Sequence, residues 1–359
     1  MKVAFIARSS LHTSKGGDTI QMEQTARHLR HLNIGVDIRL TDEQINYRQY
    51  DLLHFFNLTR PSDILPHIGR SGIPFVVTPL LIDYSEFDQQ FRKGISGELF
   101  RHLSGSQIEY FKTIARWVKR QQTLKSLSYL LKGHHRSVKT IIKKAAMFLP
   151  NSDMEYRRLV QCYLSAPAFS IVPNGIDERL FASSENIEKD ENMVLCVARI
   201  EGLKNQLNLI KAVNHSKFQL FIIGSAAVNQ MDYYIKCKKM AASNIHFIDH
   251  LPQQSLIRYY QKAKVHVLPS WFETCGLSTL EAAAMGCNVV ITNRGYAMEY
   301  CHNQAFYCDP SSPFSILAAI EKASEEKCHK SFREKIVTDY TWRIAAQRTY
   351  DAYKKIVDK

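Results

Sequence analysis

Short apolar runs rich in Val, Ile, Leu and Phe alternate along this chain with longer stretches whose apolar positions recur every three or four residues. The short runs predict strands: Lys2–Ala7, Val36–Leu40, Leu52–Phe56, Phe75–Thr78, Met147–Leu149, Met193–Ala198, Gln219–Ile223, His246–Ile248, Val265–Leu268 and Val289–Thr292. The periodic stretches predict helices at Thr19–Leu32, Gln206–Val213, Met231–Met240, Ser255–Lys262, Thr279–Met285 and Phe314–Ala323. His28 and Arg30 fall on the polar side of the first. Alternation of this kind predicts an α/β fold of parallel sheets covered on both faces. About eleven strands are too many for one ordinary open sheet, so two doubly wound domains are expected. The seam falls at Val172–Asp177 (VPNGID), ahead of the acidic, polar stretch Ser183–Asn192. This gives an N-terminal domain over 1–172 and a C-terminal domain over 173–340. A last helix over 341–359 carries Trp342, Ala345, Ala346, Tyr350, Tyr353 and Ile356 as an apolar stripe that must dock.

Composition narrows the class. A chain of 359 residues with 45% hydrophobic content can bury a sizeable core. No apolar run reaches the roughly 18 residues of a membrane span. The N-terminal MKVAFIARSS reads as an immediate first strand rather than a signal peptide. Eight cysteines are scattered without a CxxC pair or a Cys/His cluster, which fits free thiols in a reducing cytoplasm. The net charge is +13, and ten Lys or Arg with no Asp or Glu lie between Lys112 and Lys144. Outside that segment the chain is nearly balanced, so a nucleic-acid groove is not indicated.

The segment richest in chemistry is Glu273 to Glu281, within PSWFETCGLSTLEAAAMGCNVV. It reads as strand, loop and helix, with Gly276 in the turn and Ser278 near the helix N-terminus. A helix N-terminus at the carboxyl end of a buried strand favours an anion. Two flanking carboxylates would repel a phosphate unless each faces hydroxyl groups, because ionised carboxylates only accept hydrogen bonds. The pattern suits a ligand with phosphates in its middle and polyols at both ends. Arg199 and Lys204, five residues apart after strand Met193–Ala198, add two cations at another strand's carboxyl end.

On Glu273-Thr-Cys-Gly-Leu-Ser-Thr-Leu-Glu281, Arg199 and Lys204 in VARIEGLKNQ, VPNGID, Tyr340-Thr-Trp342 and Gly16-Gly17, the chain resembles the family 4 retaining glycosyltransferases of group 1. The resemblance covers nearly the whole chain and is strongest from Val172 to Asp309. It implies the GT-B architecture: two Rossmann-like domains facing a cleft, with the C-terminal helix crossing back to the N-terminal domain. It also implies transfer of a hexosyl group from a nucleoside-diphosphate sugar, with UDP favoured over GDP and no further cofactor. Arg199 and Lys204 match the cations on the diphosphate, where charge grows as the nucleotide departs. Glu273 matches the position facing the donor sugar, and Glu281 the one on the ribose hydroxyls. Cys275, Gly276, Leu277 and Ser278 match backbone donors, and Gly16 and Gly17 allow close backbone approach to the donor. No metal is implied, because the two cations and the helix N-terminus supply the positive field. Many family members carry a His at the end of the strand that here reads FVVTPLLID. Leu80 and Leu81 stand there instead, with Asp83 as a candidate substitute.

Ile108, Phe111, Ala115 and Val118 recur at helical spacing among Lys112, Arg116, Trp117, Lys119 and Arg120. A basic amphipathic helix with Trp suits an anionic membrane surface. Residues 108–144 are therefore candidates for holding the protein at the inner face of the cell membrane, near a glycan or lipid-linked acceptor. A nucleotide-sugar epimerase and a non-catalytic sugar-nucleotide binding module stay open as alternatives. The sugar, the base and the acceptor are not readable, because backbone contacts leave no side-chain code.

Overall fold

The computed structural model describes residues 1–11, 13, 16–91, 105–118, 127–181 and 188–358. In chain order the first half runs β1 (Lys2–Ala7), α1 (Gly17–His31), β2 (Gly35–Leu40), β3 (Leu52–Phe56), α2 (Pro61–Ile68), β4 (Phe75–Thr78), α3 (Ser85–Phe91), α4 (Gly105–Val118), α5 (Leu127–Lys144), β5 (Met147–Phe148) and α6 (Asp153–Tyr163). The second half runs β6 (Asp190–Val197), α7 (Gln206–Val213), β7 (Gln219–Ile223), α8 (Met231–Met240), β8 (Ile245–Ile248), α9 (Gln253–Lys262), β9 (Ala263–Leu268), α10 (Leu277–Ala284), β10 (Asn288–Thr292), β11 (Phe306–Cys308), α11 (Pro313–Glu325), α12 (Lys330–Asp339) and α13 (Trp342–Val357).

Two compact units result. The first holds Met1–Leu81, Arg92–Asn174 and Trp342–Lys359; the second holds Ile82–Phe91 and Gly175–Thr341. The ten residues around α3 thus cluster with the second unit, not with the chain on either side of them.

The first unit is built on a parallel sheet of order β2-β1-β3-β4-β5. Its core includes Ala4, Ile6, Leu53, Phe55, Val77 and Phe148. The stripe of α13 packs on α1, burying Trp342, Ala345, Ala346 and Tyr353. Inside this packing His54 Nδ1 and Tyr353 Oη are 2.6 Å apart, and His54 Nε2 lies 2.8 Å from Thr78 Oγ1. Burial pushes the His54 imidazole down to about 3, so it stays neutral as a hydrogen-bonding link between β3, β4 and the terminal helix.

The second unit is built on a parallel sheet of order β11-β10-β9-β6-β7-β8. Strand β6 shows why both faces are covered. Met193 and Leu195 enter one apolar cluster, whereas Val194 and Cys196 enter the other. Each fully buried side chain of Leu or Val size contributes about 1.5–3 kcal/mol, so neither helix layer is dispensable. The edge strand β11 is only three residues long and has no run that periodicity could detect. Among the described residues no helix is long and apolar enough to cross a membrane.

Candidate functional site

The site grows from the carboxyl ends of β6, β9 and β10 in the second unit. Strand β9 stops at Leu268 before Pro269, and the following loop carries Glu273. Gly276 then caps α10 with φ +69, a left-handed backbone that its lack of Cβ allows. Cys275 is buried, while Leu277 and Ser278 are half-buried in the first turn of α10. The first N–H groups of a helix have no intrahelical acceptor, so this turn is suited to an anion.

Lys204 arrives from another loop. It ends the 3-10 turn Gly202–Lys204 after β6. Two anchors fix this turn against the loop after β9. Trp271 N donates to Leu203 O at 2.9 Å. Fully buried Asn205, at φ +60, donates from Nδ2 to Pro269 O at 3.0 Å and to Pro310 O at 2.8 Å. The result is a Lys204 Nζ to Glu273 Oε2 distance of 2.6 Å. The same Glu273 oxygen accepts from Ser270 Oγ at 3.0 Å, and Oε1 accepts from Thr274 N at 3.3 Å. The carboxylate is 6% exposed, so its charge is neutralised within the protein.

The loop after β10 holds Glu273 from behind. Glu273 N donates to Arg294 O at 3.2 Å, and Tyr296 N donates to Glu273 O at 2.8 Å. Gly295 makes this approach possible: at φ +97, a Cβ there would lie 2.1 Å from Glu273 O.

Arg199 does not join the Lys204–Glu273 pair. Its Nη2 lies 2.9 Å from Glu201 Oε1. Gln206 ties the two together, donating from Nε2 to Arg199 O at 2.9 Å and accepting from Glu201 N at 3.4 Å. Glu281 sits one turn into α10 and is also engaged. Its oxygens accept from Gln253 Nε2 at 2.8 Å and Tyr260 Oη at 2.9 Å. Burial pushes the Glu281 carboxyl up to about 7, against the pull of those two donors.

Other sequence-derived candidates lie elsewhere. Gly16 precedes α1 and Gly17 opens it, in the first unit. Beside them Arg8 Nε lies 2.9 Å from Asp18 Oδ2. Asp83 belongs to the second unit, where its Oδ1 accepts from Ser85 N at 2.9 Å and starts α3. Lys112 and Arg116 both turn towards Glu109, at 2.8 and 3.8 Å. Phe111, Ala115 and Val118 face outward, and Trp117 is exposed as well; Ile108 is buried. Lys119 and Arg120 lie outside the described residues.

Several residues that shape the site have no local signature. Asn205 and Tyr260 act through partners far along the chain. In the first unit Leu80, where a family His was expected, has φ +50, which is strained for a bulky residue. Buried Glu155 holds this turn, accepting from Leu81 N and Asn151 N, each at 2.7 Å.

Residues 177–338 match the family model described as Glycosyl transferases group 1. An uncharacterized glycosyltransferase of Methanocaldococcus jannaschii is 28% identical over 190 residues, covering 48% of this chain and 47% of its own. Glycogen synthase of Mycobacterium tuberculosis is 27% identical over 201 residues, covering 51% and 48%. The chain spans about half the length of the curated relatives it matches. Among solved structures, sucrose-phosphate synthase from Thermosynechococcus elongatus superposes with a TM-score of 0.76 at 16% identity, over 100% of this chain and 99% of that one. Anabaena HepE in complex with UDP and glucose superposes with a TM-score of 0.65 at 16% identity, over 100% and 98%. These superpositions identify the fold as GT-B.

Proposed function

We propose that this chain, whose residues 177–338 match the Glycosyl transferases group 1 model, is a glycosyltransferase that moves a hexosyl group from a nucleoside-diphosphate sugar to a glycan or lipid-linked acceptor. The anomeric configuration is retained and no metal takes part. The observation that carries the reading is the Lys204–Glu273 pair at 2.6 Å beside the N-terminus of α10. In this reading the diphosphate lies between that N-terminus and the Lys204 and Arg199 cations, which stabilise charge growing on the departing nucleotide. Glu273 faces the donor sugar and Glu281 the ribose. UDP and glucose in the HepE complex favour a uridine nucleotide. The product serves surface polysaccharide or glycoconjugate synthesis.

Release of nucleoside diphosphate from a UDP-sugar tests the reaction class. Slow release alone, accelerated by a cell-glycan extract and accompanied by sugar incorporation, is the expected result. Isomerised sugar nucleotide without transfer would instead identify an epimerase.

The protein is further proposed to rest on an anionic membrane surface through 108–144. The exposed stripe Phe111, Ala115 and Val118, with Trp117 beside it, supports this, as do exposed Leu131, Lys132, Arg136, Lys143 and Lys144 on α5. Vesicles containing anionic lipid should pellet the protein at low salt and release it at high salt. Failure to pellet at low salt removes the membrane reading and leaves the transferase intact.

A further inference from the structure

The segment Ile82–Phe91 follows β4 in sequence yet clusters with the second unit. It touches the turn that delivers Lys204 and the loop after β10 that backs Glu273. At one end, Glu86 Oε2 lies 3.0 Å from Arg294 Nε. Arg294 is the residue whose carbonyl accepts from Glu273 N. At the other end, the Phe87 ring packs on Gly202, the first residue of the turn ending in Lys204. A Cβ on Gly202 would lie 2.9 Å from Phe87 Cε2 and Cζ, so the ring meets the backbone itself. Successive residues of one helix thus hold the Lys204 turn directly and the Glu273 loop through Arg294, and the side chains of that turn and loop meet at 2.6 Å. Asp83 starts that helix by accepting from Ser85 N at 2.9 Å.

We infer that α3 is a clasp across the donor site, with Glu86 and Phe87 as positioning residues for Lys204 and Glu273. The inference rests on the transferase reading above and deepens it. Glu86 acts through Arg294 on the backbone of Glu273, and Phe87 acts through Gly202 on the Lys204 turn. Neither residue needs to touch the donor. Asp309 Oδ1 stands 3.7 Å from Arg294 Nη2, a weaker second anchor that remains when Glu86 is changed. The Glu86–Arg294 pair is 36% exposed on both sides, so its removal should register in kinetics more than in folding. Misplacement of a catalytic group by about 1 Å costs on the order of a hundredfold in rate, which sets the scale.

The test compares Glu86→Gln, Glu86→Asp, Phe87→Ala and the charge swap Glu86→Arg with Arg294→Glu. Donor turnover and the thermal shift produced by UDP are measured for each variant and for the parent. The clasp predicts that Glu86→Gln and Phe87→Ala lower kcat on the order of tenfold, while KM for the donor and the UDP shift stay near parental values. Glu86→Asp and the charge swap should recover part of kcat, which a structural role alone would not require. Parental kcat in both Glu86→Gln and Phe87→Ala, with normal UDP binding, overturns the clasp and leaves the transferase reading standing. Absence of UDP binding and turnover in the parent chain removes both together.

Discussion

Lys204 and Glu273 are 69 residues apart in the chain and 2.6 Å apart in space. Two different strand ends, β6 and β9, supply them. The buried Asn205 amide and the Trp271–Leu203 backbone bond tie the two loops together. A cation held so close to a nearly buried acid is already oriented before any ligand arrives, and preorganised charge stabilises a transition state without reorganisation at the moment of reaction.

Lys204→Met should lower turnover on the order of a hundredfold or more. It also leaves the Glu273 carboxylate with Ser270 Oγ and Thr274 N as its remaining partners, at a cost of about 1–3 kcal/mol in stability. Adding Glu273→Gln should recover most of the stability but none of the turnover. Denaturant titration and steady-state kinetics on the same samples separate the two effects. Recovery of turnover in the double variant would make the pair structural only.

Arg199 reaches Glu201 at 2.9 Å and is more exposed than Lys204. A diphosphate must compete with Glu201 for that guanidinium. Glu201→Gln should therefore tighten donor binding a few-fold, whereas Arg199→Ala should chiefly depress kcat and Glu281→Ala chiefly weaken nucleotide binding. Titration calorimetry beside kinetics resolves the division; equal losses in binding and turnover for both alanine variants would remove it.

Glu281 gives the fold and the ligand opposite pH preferences. Its carboxyl is pushed up to about 7 by burial, from an ordinary value of 4.5. The folded chain therefore binds the proton more tightly than the unfolded chain. Stability contributed by the protonated acid is present at low pH and is lost as pH rises through about 4.5 to 7, by up to about 3 kcal/mol. Glu281→Gln should flatten that decline in a melting series. A ribose hydroxyl donating to the carboxylate favours its ionised form, so nucleotide affinity should rise as pH climbs through about 7. A pH-independent affinity would place the ribose elsewhere.

His54 and Tyr353, at 2.6 Å, fasten the terminal helix inside the first unit. Tyr353→Phe keeps the ring and leaves one buried imidazole nitrogen without its partner. The expected loss is about 1–3 kcal/mol in chemical denaturation. An unchanged midpoint would show that apolar packing of α13 suffices.

The strand–loop–helix unit around Glu273–Glu281 was legible because its punctuation is local: Pro269 ends the strand, Gly276 turns and an Ala-rich run follows. The same holds for the helix seen at Trp342–Val357, whose stripe predicts docking. What could not be read depends on distant partners. Tyr260 facing Glu281 and Glu155 under Leu81 leave no periodic trace. Strand β11 is too short to show alternation. Periodicity placed Phe111, Ala115 and Val118 on one stripe, but which way it points depends on neighbouring helices. The attachment of Ile82–Phe91 to the second unit was likewise unreadable, since Glu86 and Arg294 are 208 residues apart.

In the proposed reaction the second unit holds a nucleoside diphosphate between the α10 N-terminus and the Arg199 and Lys204 cations. A thermal-shift panel of UDP, GDP, ADP and their sugars, run on the parent chain and on Arg199→Ala with Lys204→Met, tests this placement most directly. At a hundred times its dissociation constant a ligand stabilises by about 2.7 kcal/mol, a readily measured shift. UDP and a UDP-sugar should stabilise the parent, and should stabilise the double variant clearly less. No shift with any nucleotide, or an equal shift in both proteins, would contradict this placement.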